Sequence, residues 1–404
     1  MLAIGSIAGM AVGSRAQAET EYIPAVSLSQ RYNSNVFFSA KQTLPPGTQL
    51  WDLITTPEAG VKILNKSRMG DTEVSAGVNG NVYAYNSKLS YASTNVFARS
   101  DLSNWVNELL PGLQLRISDA FRYTPQPPAF LTGGTPEQSD VFARGLQARQ
   151  ANSLSNSLST DGDYSFSRSV GLRANYTYSI RRVGRIYVTE STTPVPVTFF
   201  DTTIHNAAIG PTYTFYGGDT LFLKYNYMSS DQTRANGSSP PIKFTSQSIQ
   251  PEYITTITPG LKATISAGAT MVEQSGNRIF ASGKFSLTNE FDRQTRVSIA
   301  VSRQTAPAFF GTGGALISNV AQLYGSHDFS EVVRLTVSGN YAHNESTPVK
   351  VFKIETINTS AVLDYNLTRS TKLSLSQQYA HFNITGTPSF DQLVTMLELN
   401  IEWK

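Results

Sequence analysis

The residues that could carry chemistry in this chain are dispersed. No two of the four histidines, His205, His327, His343 and His381, stand at the spacing of a metal-ligand pair. No G-x-S-x-G nucleophile turn and no phosphate-cradling G-x-x-x-x-G-K-[ST] occurs. The chain has no cysteine, which removes thiolate metal sites, a cysteine nucleophile, disulfides and c-type haem attachment. No metal or other cofactor is expected, and the sequence gives no reason to read an enzyme. A net charge of +3 without a basic run gives no nucleic-acid signal.

What does recur is charge on alternate positions. Leu113, Leu115, Ile117 and Phe121 interleave with Gln114, Arg116, Ser118 and Arg122. The same register in later segments assigns Arg173, Lys224, Lys262, Arg296 and Arg334 to a polar face, with Asp364, Glu398 and Glu402. Charged side chains opposite an apolar face suit the wall of an aqueous pore, and the basic excess predicts a mild preference for anions or anionic sugars. The competing expectation is that these charges only solvate one another. Phe130, Phe142, Phe199, Phe200, Phe309 and Phe310, with Tyr123 and Tyr187, are expected near the outer loops, to stack on sugar rings or to pack girdle and loops.

The elements that must hold such a wall are strands. In the last segment, Leu397, Leu399, Ile401 and Trp403 alternate with Glu398, Asn400, Glu402 and Lys404. One face suits lipid, the other water, and the terminal aromatic suits the membrane interface, where assembly machinery would read Leu397 to Trp403 as a C-terminal signal. The 40% hydrophobic content and mean hydropathy of -0.20 fit such half-polar strands. Residues 1–18 read as a signal peptide ending at Ala16-Gln17-Ala18, although no basic residue precedes the apolar stretch. Residues 19–404 then form one all-β domain: a transmembrane antiparallel up-and-down β-barrel of about eighteen strands, or sixteen if the weak segments near residues 59 and 149 drop out.

Connections alternate in length. Short ones, including Lys66–Gly70, Asp161-Gly162-Asp163, Tyr216–Asp219 and Thr258-Pro259-Gly260, are predicted periplasmic turns. Longer ones, including 39–58, 124–148, 181–200 and 306–316, are predicted to face outward. The first two of these are candidate plugs of the lumen. The 101–111 connection departs from the rule: Leu102, Trp105, Val106 and Leu109 recur at helical spacing, expected either to tuck under the rim or to contact a periplasmic partner.

The run Ser29-Gln30-Arg31-Tyr32-Asn33-Ser34-Asn35-Val36-Phe37 resembles the opening strand of a family of β-barrel porins found beside exopolysaccharide and exosortase loci. The resemblance implies an outer-membrane conduit of a Gram-negative bacterium, embedded in lipid and lipopolysaccharide, working with a periplasmic polysaccharide-export protein. Polysaccharide or small solutes would be its cargo. The alternatives are an adaptor barrel holding a partner such as a multihaem cytochrome, and a membrane hydrolase with a Ser-His pair on its wall. Reversing Arg116, Arg173 and Arg296 together to Glu is expected to move ion preference toward cations, read as the reversal potential across a planar bilayer in a salt gradient.

Overall fold

The computed structural model describes residues 19–124, 151–186, 200–234, 240–308, 313–347 and 353–403, apart from residues 39, 45 and 387, together with Lys350. The expected leader, the 125–148 plug candidate, Phe130, Phe142, Tyr187, Phe199, Phe309, Phe310 and Lys404 lie outside the described residues.

Period-two patterning produces strands throughout. They are β1 (Glu19–Asn33), β2 (Asp52–Ser67), β3 (Gly70–Tyr83), β4 (Tyr91–Asp101), β5 (Leu113–Thr124), β6 (Ala151–Ser165), β7 (Val170–Ile186), β8 (Phe200–Thr214) and β9 (Thr220–Arg234). There follow β10 (Ile242–Thr258), β11 (Leu261–Glu273), β12 (Asn277–Glu290), β13 (Thr295–Pro307), β14 (Ala315–Asp328), β15 (Val333–Thr347), β16 (Lys353–Asn366), β17 (Thr371–Ile384) and β18 (Phe390–Glu402). Each pairs antiparallel with the next. β18 returns to β1 from Ala25↔Glu402 to Asn33↔Val394, closing an 18-stranded barrel without a free edge. The segments near residues 59 and 149 are the full strands β2 and β6, so the sixteen-strand alternative falls.

One expected turn is misplaced. Asp161-Gly162-Asp163 lies inside β6, and residues 166–169 make the turn. The Asp-Gly signal was outweighed by partners on β7. Asn175 donates to Asp161 at 2.6 Å and Arg173 Nε donates to Asp163 at 2.6 Å. Where turns do form, local capping supports them: the N–H groups of Gln294 and Thr295 donate to the Asp292 carboxylate at 2.8 and 2.5 Å. Those backbone hydrogen bonds hold its pKa below the usual carboxylate range.

Register sorts the side chains. Val26, Leu28, Leu399, Leu375, Leu363, Leu323 and Ile299 all fall on the outer face and are exposed there. Tyr22, Phe166, Tyr213, Phe291, Phe329, Tyr365 and Trp403 ring the short-turn rim, while Trp51, Tyr85, Tyr123, Tyr341 and Tyr379 mark the other end. An apolar band between two aromatic girdles is the outer surface of a membrane-spanning barrel. Among the described residues no helix is long and apolar enough to cross a membrane.

Leu323→Arg puts a charge in that band and is expected to lower stability by roughly 2–4 kcal/mol, depending on its depth. Gln322→Arg, one residue away on the inner face, is expected to be tolerated. Equilibrium unfolding from lipid vesicles compares the two.

Candidate functional site: the barrel interior

The half of the interior near the short turns is polar, and several of its charges are paired. Register carries Arg116, Arg122, Arg173, Lys224, Lys262, Arg296, Arg334, Glu398 and Glu402 to the inner wall. Arg116 Nε lies 3.3 Å from Asp101, Arg173 2.6 Å from Asp163, Lys62 2.8 Å from Glu73 and Lys372 3.8 Å from Asp364; Arg334 pairs with Asp328. The Arg173 guanidinium also covers the Phe222 ring at 5.5 Å. Hydroxyls and amides fill the gaps, as in Ser157–Ser179 (2.9 Å), Ser159–Thr177 (3.1 Å), Ser338–Ser360 (2.7 Å) and Asn226–Ser248 (3.0 Å).

Three of the seven basic residues expected on the wall, Arg116, Arg173 and Arg334, thus stand beside carboxylates. Asp101, Asp163 and Asp328, at or beside connections in the sequence, are inner-wall partners of these arginines. Carrying the alternation two residues past each apparent strand end would have found them.

The half near the long loops holds buried apolar clusters set among buried polar side chains such as Arg181, Gln232, Asn344 and Thr356. Val183 of β7 and Ile204 of β8 share one cluster with Ile354, Ala380, Phe382 and Phe390 of β16 to β18. β7 and β16 stand on opposite sides of the ring, so this cluster crosses the lumen. Two inserted pieces of chain make the crossing. The first is the tip of the β13–β14 hairpin. The β12–β13 ladder stops at Gly283↔Arg303, while β13 and β14 stay paired up to Pro307↔Ala315. Above that point the hairpin parts from β12 and leans inward, while β14 stays paired with β15 up to Ala315↔Thr347.

Burial records the departure. A strand in the wall buries alternate residues, yet Ala315, Leu316, Ile317 and Ser318 are exposed by 0%, 1%, 2% and 0%. Leu316 and Ala308 join the cluster that crosses the lumen. Ala315 and Ile317 pack on Phe244, Val272 and Phe280 of β10 to β12. The Arg303 guanidinium lies 5.8 Å over the Phe280 ring. Gln232 grips the tip through both groups of Gly314, its amide donating to the carbonyl at 3.3 Å and its oxygen accepting from the N–H at 2.5 Å. Gln274 accepts from the Ala315 N–H at 2.9 Å. Gly314 adopts φ +83°, a conformation that favours glycine, and a Cβ there would also push on the Gln274 amide that holds the tip.

The second piece follows β1. Asn33 Oδ1 accepts from the Asn35 N–H at 2.9 Å, and Gln392 donates to Asn33 Oδ1 and to the Asn35 carbonyl, each at 3.1 Å. This turn sends Val36 and Phe38 inward, Phe38 into the cluster that crosses the lumen and Val36 against Ile54 and Tyr83. The Asn-rich run singled out in the sequence thus acts as an inward-turning latch at the β1–β18 seam. The 39–58 plug candidate divides: Ala40 joins the cluster that crosses the lumen, whereas residues 52–58 belong to β2 and Trp51 sits at the rim between Tyr32 and Tyr85, ring centroids 6.0 and 4.7 Å away. Beside the insertions a cavity remains on the inner wall of β4 to β7, lined by Asn95, Phe97, Arg122, Ser153, Ser155 and Arg181.

The remaining candidates lie elsewhere. Helix α1 (Ser103–Leu109) buries Val106 and partly Leu102 beneath the rim and exposes Trp105 and Leu109. All four histidines face outward, with Tyr176, Thr295, Glu355 and Asp391 as their partners, not a serine. Phe200 is buried on the inner wall, and Tyr123 is exposed on the outer one.

No protein-family model matches the sequence, and no curated protein matches it. Solved structures similar in chain course include OccK1 (OpdK) of Pseudomonas aeruginosa, at 9% identity and TM-score 0.48, covering 95% of this chain and 99% of that one. OccK9 (OpdG) of the same species has 10% identity and TM-score 0.45, with 95% and 99% covered. OccAB4 of Acinetobacter baumannii has 12% identity and TM-score 0.44, with 96% and 100% covered.

Gln232→Ala with Gln274→Ala leaves the buried N–H groups of Gly314 and Ala315 without partners, at roughly 1–3 kcal/mol each. If the inserted hairpin tip blocks the lumen, the fraction of time open in single-channel recordings is expected to rise about tenfold or more.

Proposed function

We propose that this chain is an outer-membrane channel of a Gram-negative bacterium, kept shut at its long-loop end by its own hairpin tip and by the segment after β1. Residues 1–18 serve in this reading as its export leader, and the short turns face the periplasm. The observation that carries the proposal is the apolar cluster bridging β7–β8 and β16–β18 above a polar, hydroxyl-lined vestibule. A wall that needed only to hold the chain in lipid would have no use for a polar interior closed by inserted, individually hydrogen-bonded segments.

The cargo we infer is a hydrophilic polymer, a secreted polysaccharide, with small neutral solutes sharing the path. Paired ions and rows of Ser, Thr and Asn give many weak hydrogen bonds without a strong electrostatic trap, which suits passage of a long polar chain. The resemblance of Ser29–Phe37 to export-associated barrels points the same way. The adaptor reading is less favoured, because a sleeve must leave its lumen free for the partner, and here Leu316, Phe38 and Phe382 occupy it.

Liposome swelling with neutral oligosaccharides tests the channel. Wild-type protein is expected to admit them slowly and the Gln232→Ala/Gln274→Ala variant several-fold faster. A folded variant that remains impermeable contradicts the proposal. Retention of polymer in the periplasm on loss of the protein tests the cargo separately.

A further inference from the structure

Within the described strands, charged side chains that face outward gather at the long-loop ends, among them Asp201, Lys243, Glu355 and Asp391. Asp119 does not. It shares the outer face of β5 with Leu115, Ile117, Phe121 and Tyr123, four residues below the Tyr123 girdle position, and therefore inside the apolar band. Its side chain is 8% exposed, set in a dimple between Ala98 of β4 and Leu158 of β6, and accepts a hydrogen bond from Asn156 Nδ2 at 2.7 Å. A carboxylate facing hydrocarbon is costly unless further donors reach it, and such a residue marks a contact inside the membrane.

We propose that the outer wall of β4 to β6 around Asp119 and Asn156 is the interface with a second copy of this chain. The inference rests on the reading that this wall faces lipid. A periplasmic protein cannot reach the middle of the band, so the occupant is another membrane-embedded chain. The patch is self-complementary: an acceptor, Asp119, and an amide with a second N–H, Asn156, lie side by side, so a two-fold axis along the membrane normal sets each opposite the other. Small residues on β4, Thr94 and Ala98, let the neighbouring wall approach. Directly beneath, the rim presents Met69, Trp105, Leu109 and Leu110, all exposed. We assign these to the same interface, continuing it out of the membrane.

The chain lacks cysteine, so single-cysteine variants report the contact directly. Ala98→Cys and, on the outer wall of β14, Ala321→Cys are oxidised in native outer membranes and resolved without reductant. The expected result is a dimer band at least fivefold stronger for Ala98→Cys, falling to the Ala321→Cys level when Asp119→Leu is added, while heat-modifiable mobility shows that the barrel persists. Equal bands for the two cysteines, or an Ala98→Cys band indifferent to Asp119→Leu, overturn the interface. If Asp119→Leu does not fold, the mass of wild-type protein in mild detergent decides: a dimer supports the proposal and a monomer overturns it. A monomer that still conducts leaves the channel reading intact, whereas recovery of the chain in the soluble periplasm removes the membrane reading on which both stand.

Discussion

Closure of the backbone ladder is the constraint on which the rest depends. In hydrocarbon an unpaired N–H or C=O costs several kcal/mol, and a sheet can avoid that only by having no edge. The β1–β18 pairing supplies the closure, and period-two alternation then turns every strand into a partition between lipid and water. A charge on the outer face, as at Asp119, stands out only because the other outward charges have been cleared to the strand ends. The arginine–aspartate pairs of the inner wall follow from the same partition, since arginines in a confined vestibule are stabilised by carboxylates on neighbouring strands.

The insertion of the hairpin tip uses this constraint by relaxing it locally. Between β12 and β13 the ladder ends at Gly283↔Arg303, and the released end of β13 keeps its pairing with β14, and β14 with β15, while leaning into the lumen. Side-chain amides from Gln232 and Gln274 stand in for part of the lost wall contact. A gate held by a few hydrogen bonds and an apolar contact differs from a permanently packed core, because moving it exposes its surfaces to a lumen that is already wet. The asparagine turn after β1 does comparable work from about a third of the way round the ring.

Much of the barrel was legible in the residue pattern. Lipid and water impose a strong alternation, so strand number, the terminal strand from Leu397 to Trp403 and the unequal connections could be read directly. The failures have local causes. Asp161-Gly162-Asp163 has the composition of a turn, and only cross-strand partners on β7 reveal it as strand. Asp101 and Asp328 sit at strand ends, where alternation gives the weakest guidance. The inserted tip did leave a signal: Ala306-Pro307-Ala308 and Ala315-Leu316-Ile317 are apolar without alternation around Gly313-Gly314, the mark of a strand buried on both faces. What no single sequence could give is the diametric meeting of β7 and β16, which depends on closure of the whole ring.

The most direct test follows one strand from wall to interior. Spin labels placed singly at residues 315–328 of this cysteine-free chain report contact with oxygen, which partitions into lipid, and with a water-soluble nickel chelate. For the lower part of β14 the account predicts oxygen contact alternating with nickel contact at period two. At residues 315–318 it predicts protection from both. Alternation continuing without interruption to Ala315 would mean that the hairpin stays in the wall and the lumen is not closed in this way.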